Sequence, residues 1–145
     1  MKTPLFLFLS FFAIATCTGQ TEIPTTEGGW TMTATVDGKP WKAATVIPPA
    51  QAGRVIGSYK DGYINLPYWK QWKAGKQYNI SETSAALFMA VGKPVLWTGR
   101  IGQIQVTKLT DAWLEGTFYF TATTTGSDKK VEVTNGFFRV STKKP

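Results

Sequence analysis

Trp113-Leu114-Glu115-Gly116-Thr117-Phe118-Tyr119-Phe120-Thr121-Ala122 decides the fold class. Leu114, Phe118 and Phe120 share one parity, and Trp113, Glu115, Thr117 and Tyr119 share the other. That is the period of a strand with one dry face and one wet face. Just upstream, residues 103–109 read as a second strand with Ile104 and Val106 on one face. Downstream, residues 130–140 read as the last strand, after a polar loop over 123–129. In that last strand Val131 and Val133 have one parity while Phe138 and Val140 have the other, with Asn135-Gly136 between. A β-bulge there adds one residue and restores a single apolar face. A tight Asn-Gly hairpin also fits and would set Glu132 opposite Arg139. The bulge is preferred, because the hairpin leaves two very short strands. Leu114, Phe118, Phe120, Val133 and Phe138 are the expected core.

The same alternation recurs towards the N-terminus. Trp30, Met32, Ala34 and Val36 interleave with Thr31, Thr33 and Thr35. Asp37-Gly38 is a turn signal, and 41–47 reads as the returning strand. Residues 48–53, with two prolines and a glycine, read as a loop. Short strands over 54–59 and 63–66 flank Asp61-Gly62. The stretch 68–76 is less regular, one helical turn or a broad loop, with Trp69 and Trp72 three apart. Strands resume over 77–80, 86–91 and 95–98, with Gly92-Lys93-Pro94 as a break. Aromatics make up 14% of the chain, and with Val, Ile and Thr they suit a pleated surface. The expectation is an all-β fold, an antiparallel β-sandwich or flattened barrel of about 8–10 strands.

The first residues read as an address. Met1-Lys2 is followed by an apolar run over 5–15 broken only by Ser10, too short to span a bilayer comfortably and shaped as a secretory signal. Ile14-Ala15-Thr16-Cys17 resembles a bacterial lipobox, in which the cysteine is acylated and becomes residue one; Thr16 departs from the usual Gly, Ala or Ser. The rival is ordinary cleavage after Ala15 or Gly19, giving a soluble form. The expected organisation is a signal peptide over 1–16, a lipidated Cys17 and flexible tether over 17–29, and one β-domain over 30–145. Stable anchoring takes more than one acyl chain, palmitate among them, and lipoproteins of this type resemble that solution. The expected location is the bacterial cell envelope, at the outer membrane, with a periplasmic or secreted soluble form as the alternative. Only Glu22 and Glu27 follow the cysteine closely, so the leaflet it faces stays open.

Composition removes several chemistries. There is no His, and Cys17 is the only Cys, so the domain after it has no disulfide, thiol nucleophile or Cys/His metal site. Nucleophile–imidazole catalysis is excluded with it. Of the acidic residues, Asp37, Asp61, Asp111 and Asp128 sit in expected turns, where such side chains cap their own backbone. Glu115 and Glu132 fall on neighbouring strands, where they would approach each other; a paired-carboxylate glycosidase needs two such groups across a cleft. Two solvated strand charges is the simpler reading. No catalytic residue, cofactor or metal is expected.

Four segments carry a resemblance. Thr35-Val36-Asp37-Gly38-Lys39-Pro40-Trp41 is similar to the opening of a family of small Bacteroidetes-type exported lipoproteins. The likeness continues with Gly102-Gln103-Ile104-Gln105-Val106-Thr107-Lys108 and Leu114-Glu115-Gly116-Thr117-Phe118-Tyr119-Phe120-Thr121-Ala122, and closes with Val131-Glu132-Val133-Thr134-Asn135-Gly136-Phe137-Phe138. It covers about Trp30 to Val140. The resemblance implies an exported β-domain behind a signal or lipobox, and no activity. The chain departs from the family at Gly75-Lys76-Gln77-Tyr78, which is one residue longer, and in the Trp-rich stretch 68–72.

That Trp-rich stretch is the candidate site. Tyr68, Trp69 and Trp72, with Lys70 and Lys73, are the expected ligand contacts, because flat rings stack on sugars and lysines attract anionic groups. The competing reading is that the rings plug an open end of the fold under the lysine stems. The net charge is +7, and without Lys2 there are 15 basic residues against 9 acidic. This favours an anionic envelope component or a glycan as partner, beside the membrane that a lipid on Cys17 would engage. Nucleic acid is disfavoured for an exported protein, and a monomer is expected. The functional expectation is a non-catalytic interaction or structural domain of the envelope, with a carbohydrate- or small-ligand-binding module as the alternative.

Overall fold

Alternating sequence becomes strand wherever it runs. The computed structural model describes residues 29–59, 62–67, 70–81, 87–89 and 95–143. These form β1 (Thr31–Val36), β2 (Lys39–Lys42), β3 (Thr45–Ile47), the helical turn α1 (Pro49–Ala52), β4 (Arg54–Tyr59), β5 (Gly62–Pro67), β6 (Gln77–Ile80), β7 (Leu87–Met89), β8 (Leu96–Leu109), β9 (Trp113–Thr123) and β10 (Lys130–Ser141). Every pairing is antiparallel. The large face runs β2-β1-β10-β9-β8-β6, while β7 pairs the first part of β8 and passes the ladder to β5, β4 and β3. The fold is an all-β sandwich that does not close into a barrel. Signal, Cys17 and most of the tether lie outside the described residues, as do the Gly92-Lys93-Pro94 break and Asp61.

Local chemistry explains the joints. The Asp37-Gly38 pair has φ of 46° and 76°, the double left-handed turn that suits a two-residue hairpin, and Val36 pairs Lys39 across it. The expected single strand over 41–47 is instead two, β2 and β3, with Ala43-Ala44 turning the corner. The Ala43 N–H donates to the Met32 carbonyl at 2.9 Å and the Ala44 N–H to that of Ser58 at 2.8 Å, so consecutive residues serve opposite layers. The expected loop over 48–53 contains α1, begun by a proline and ended at Gly53 in the left-handed region.

β8 corrects the expectation of two strands. Gly99 and Gly102 resemble punctuation, yet the strand runs unbroken for 14 residues, with register shifts at Gly99/Ile101 and Val106/Lys108. Its Gly102 is a site of close approach rather than a turn: a Cβ there would fall 2.3 Å from the Tyr119 carbonyl oxygen. Gly102 pairs Phe120, Gly116 pairs Phe138, and Gly136 pairs Phe118. Each glycine thus leaves room for the phenylalanine opposite it on the inner face.

The bulge in β10 is present. Both neighbouring strands advance two residues while β10 advances three, between Val133 and Gly136. Asn135 takes φ of 50° inside it. As a result Val131, Val133, Phe138 and Val140 all face inward and are buried with Leu114, Phe118 and Phe120. Phe118 lies 6.3 Å from both Phe120 and Phe138, centroid to centroid. The smaller layer contributes Val46, Val55, Ile64 and Leu66. Gly57 of β4 lets the layers touch, since a Cβ would meet Met32 Sδ at 2.6 Å. At the rim, β2 exposes Lys39, Pro40 and Lys42.

Candidate contact surface

Residues 70–76 form the broad loop rather than a helical turn, strapped to the edge of β8. The Gly75 N–H donates to the Val106 carbonyl at 2.7 Å, and the Val106 N–H to that of Lys76 at 3.0 Å. Tyr78 pins the loop from beneath: its hydroxyl accepts from the Lys73 N–H at 2.8 Å and donates to the Gln71 carbonyl at 3.0 Å. This draws Trp72 into the core, 4% exposed, stacked on Tyr78 at 5.9 Å and tilted against Phe138 at 6.0 Å. Trp72 therefore offers no face to a ligand. It belongs to the core, the burial that the competing reading expects of this ring. Lys70 and Lys73 are exposed above it, and Tyr68 and Trp69 lie outside the described residues.

The acidic residues are placed differently from their sequence reading. Glu132 pairs Thr121, and Glu115 pairs Arg139, so the two glutamates do not face each other. Glu115 instead lies between two cations, 3.6 Å from Lys108 Nζ and 3.4 Å from Arg139 Nε. The Arg139 guanidinium also sits 4.2 Å from the Trp113 ring centroid, within cation–π reach. The aspartates cap less than expected. Thr110 Oγ1, not Asp111, accepts from the Ala112 and Trp113 N–H groups. Ser127 Oγ, not Asp128, accepts from the Lys129 N–H. Asp37 reaches across to β10, where its carboxylate accepts from the Glu132 N–H at 2.8 Å. Among the described residues, no group of three or more His, Cys, Asp or Glu could hold a metal ion.

The outer face of β8, β9 and β10 carries the concavity that sequence reasoning missed. An open trough of about 560 Å³ crosses it, lined by Gln103, Gln105, Thr117, Tyr119, Asn135 and Phe137, with Thr134 beside them. The register sets these side chains in two rows. Gln105 pairs Thr117, which pairs Phe137; Gln103 pairs Tyr119, which lies opposite the bulge at Thr134 and Asn135. Tyr119 is 52% exposed, although its neighbours Phe118 and Phe120 are buried. The bulge supplies the hollow, because an extra residue bends the strand and increases its twist. A signal was present in the wet parity of β9 and in the absence of charge from Gln103, Gln105, Thr117 and Tyr119. It needed the pairing of three strands to become a site.

No family model matches the chain, and no curated protein and no solved structure matches it either.

Proposed function

We propose that the protein is a non-catalytic interaction module of the bacterial cell envelope, exported by residues 1–16 and held on the outer membrane by a lipid on Cys17. The observation that carries the contact role is the open trough on the large sheet, lined by rings, amides and hydroxyls. The carboxylate of Glu115, beyond one end of the trough, is engaged by Lys108 and Arg139, which supports a structural part for it rather than proton transfer. The apolar run and the lipobox-like Ile14-Ala15-Thr16-Cys17 support export and anchoring, and the segments 35–41, 102–108, 114–122 and 131–138 support membership in the family of small Bacteroidetes-type exported lipoproteins.

Cell fractionation tests the anchor. The wild-type chain is expected with the membranes, and Cys17→Ala is expected in soluble or misprocessed form. A wild-type protein found wholly soluble and starting at Thr16 or Gln20 would replace the anchored reading with the secreted one.

A further inference from the structure

We infer that the trough across β8, β9 and β10 binds a neutral oligosaccharide, an inference that rests on the contact-module reading above. Tyr119 and Phe137 supply ring faces from adjacent strands, the former exposed and the latter half-buried. The C–H face of a pyranose packs on such a ring and keeps its hydroxyls free at the edges. Those hydroxyls each donate and accept. Side-chain amides do both as well, one oxygen accepting and one nitrogen donating twice, so Gln103, Gln105 and Asn135 match them without any change of protonation. Thr117 and Thr134 add hydroxyls of the same character.

Charge narrows the ligand further. Every side chain lining the trough is uncharged at neutral pH. Charged residues of this face stand beyond the trough at both ends: Glu115 lies between Lys108 and Arg139 at one, and Glu132 and Lys130 lie past Thr134 along β10 at the other. An anionic saccharide or nucleotide would find no cation among the lining side chains to offset the hydration it gives up. A neutral polyhydroxylated chain loses only hydrogen bonds to water that the amides restore. The volume falls within the usual range of small-ligand sites, about 300–1,000 Å³. The open shape suits a short stretch of a longer chain lying across the strands. A protein partner would be expected to meet several apolar, Trp- or Arg-rich anchors in the centre of its interface, and here the central strand offers one Tyr and one Thr with amides on both flanks.

The bulge makes the site specific to its geometry. Asn135 stands in the left-handed region, held between Val133 and Gly136 on strands that are otherwise regular. The backbone that carries this amide is thereby set within a paired strand, which lowers the ordering cost of binding.

The test uses the full chain in detergent, titrated by calorimetry and intrinsic fluorescence. The probes are neutral gluco-, xylo-, manno- and galacto-hexaoses of α and β linkage, with hexagalacturonate as the anionic comparator. At least one neutral hexaose is expected to bind more tightly than hexagalacturonate. Tyr119→Ala should weaken it about tenfold or more, and Gln105→Ala or Asn135→Gly about three- to tenfold, the size of single contacts. Tyr119→Phe keeps the ring and should bind within about twofold of wild type, which separates lost stacking from lost folding. Lys70→Ala and Lys73→Ala should change nothing. The inference is overturned if no neutral hexaose binds, if hexagalacturonate binds best, if Tyr119→Ala is silent, or if the lysine variants alone abolish binding. Chromatography of the same mixtures reads the parent proposal separately: a shortened saccharide would sink the non-catalytic reading while leaving the trough in place.

Discussion

Trp72 and Tyr119 are both large aromatics beside polar neighbours, and they belong to opposite regions of the molecule. Trp72 comes from a segment whose rings and lysines stand out in the sequence, and it is sealed in the core against Tyr78 and Phe138. Tyr119 comes from the outward parity of a regular alternating strand whose sequence is read for its inward face, and it stands half open over a trough. The difference is one of anchoring. The loop around Trp72 has no ladder of its own, so a buried ring, two backbone hydrogen bonds to β8 and two through the Tyr78 hydroxyl of β6 hold it in place. The strand around Tyr119 is held by ladders on both sides and can leave its outward ring uncommitted.

The sharpest way to break this comparison is Trp72→Ala, which should lower unfolding stability by about 3–5 kcal/mol, as loss of a buried large ring does. Chemical denaturation reads it directly; a loss below about 1 kcal/mol would return Trp72 to the surface and revive the Trp-rich stretch as a contact. Next in size is Gly136→Ala. The added Cβ would meet the Phe118 ring and carbonyl oxygen at 2.5 Å, and overpacking of this kind costs about 1–3 kcal/mol. The same variant should disturb the trough, because the bulge ends at that residue. Glu115→Gln should cost about 0.5–1 kcal/mol and show less effect at high salt, since its carboxylate is partly screened by water. Smallest is Tyr119→Ala, expected within about 0.5 kcal/mol of wild type by thermal or chemical melting. A large loss there would mean that the ring supports the sheet and is not held ready for a ligand.

Much of the fold was legible because alternation survives in the long strands. The inward set Leu114, Phe118, Phe120, Val133 and Phe138 is buried as read, and the parity conflict in β10 located its bulge. The Asp37-Gly38 hairpin was legible from its turn chemistry. What misled was glycine inside a strand: Gly99 and Gly102 look like breaks, and only the closeness of β9 explains why a side chain has no room at Gly102. The corner at Ala43-Ala44 has no turn residue at all, so its bend was invisible without the two layers that its N–H groups serve. The trough was the least legible part. Its six principal residues come from three strands, and nothing in one strand reports which outward residues of another will stand beside it.

The rim strand β2 has a consequence for life at high density. In a two-residue hairpin the closing pair, Val36 and Lys39, exchanges hydrogen bonds, so the next residue turns its backbone away from β1. That next residue is Pro40, which has no N–H to offer, and Lys39 and Lys42 flank it with charge. A second copy trying to extend the sheet here would find a missing rung and like-signed side chains instead of a template. Copies that meet along this edge find no strand ready to extend.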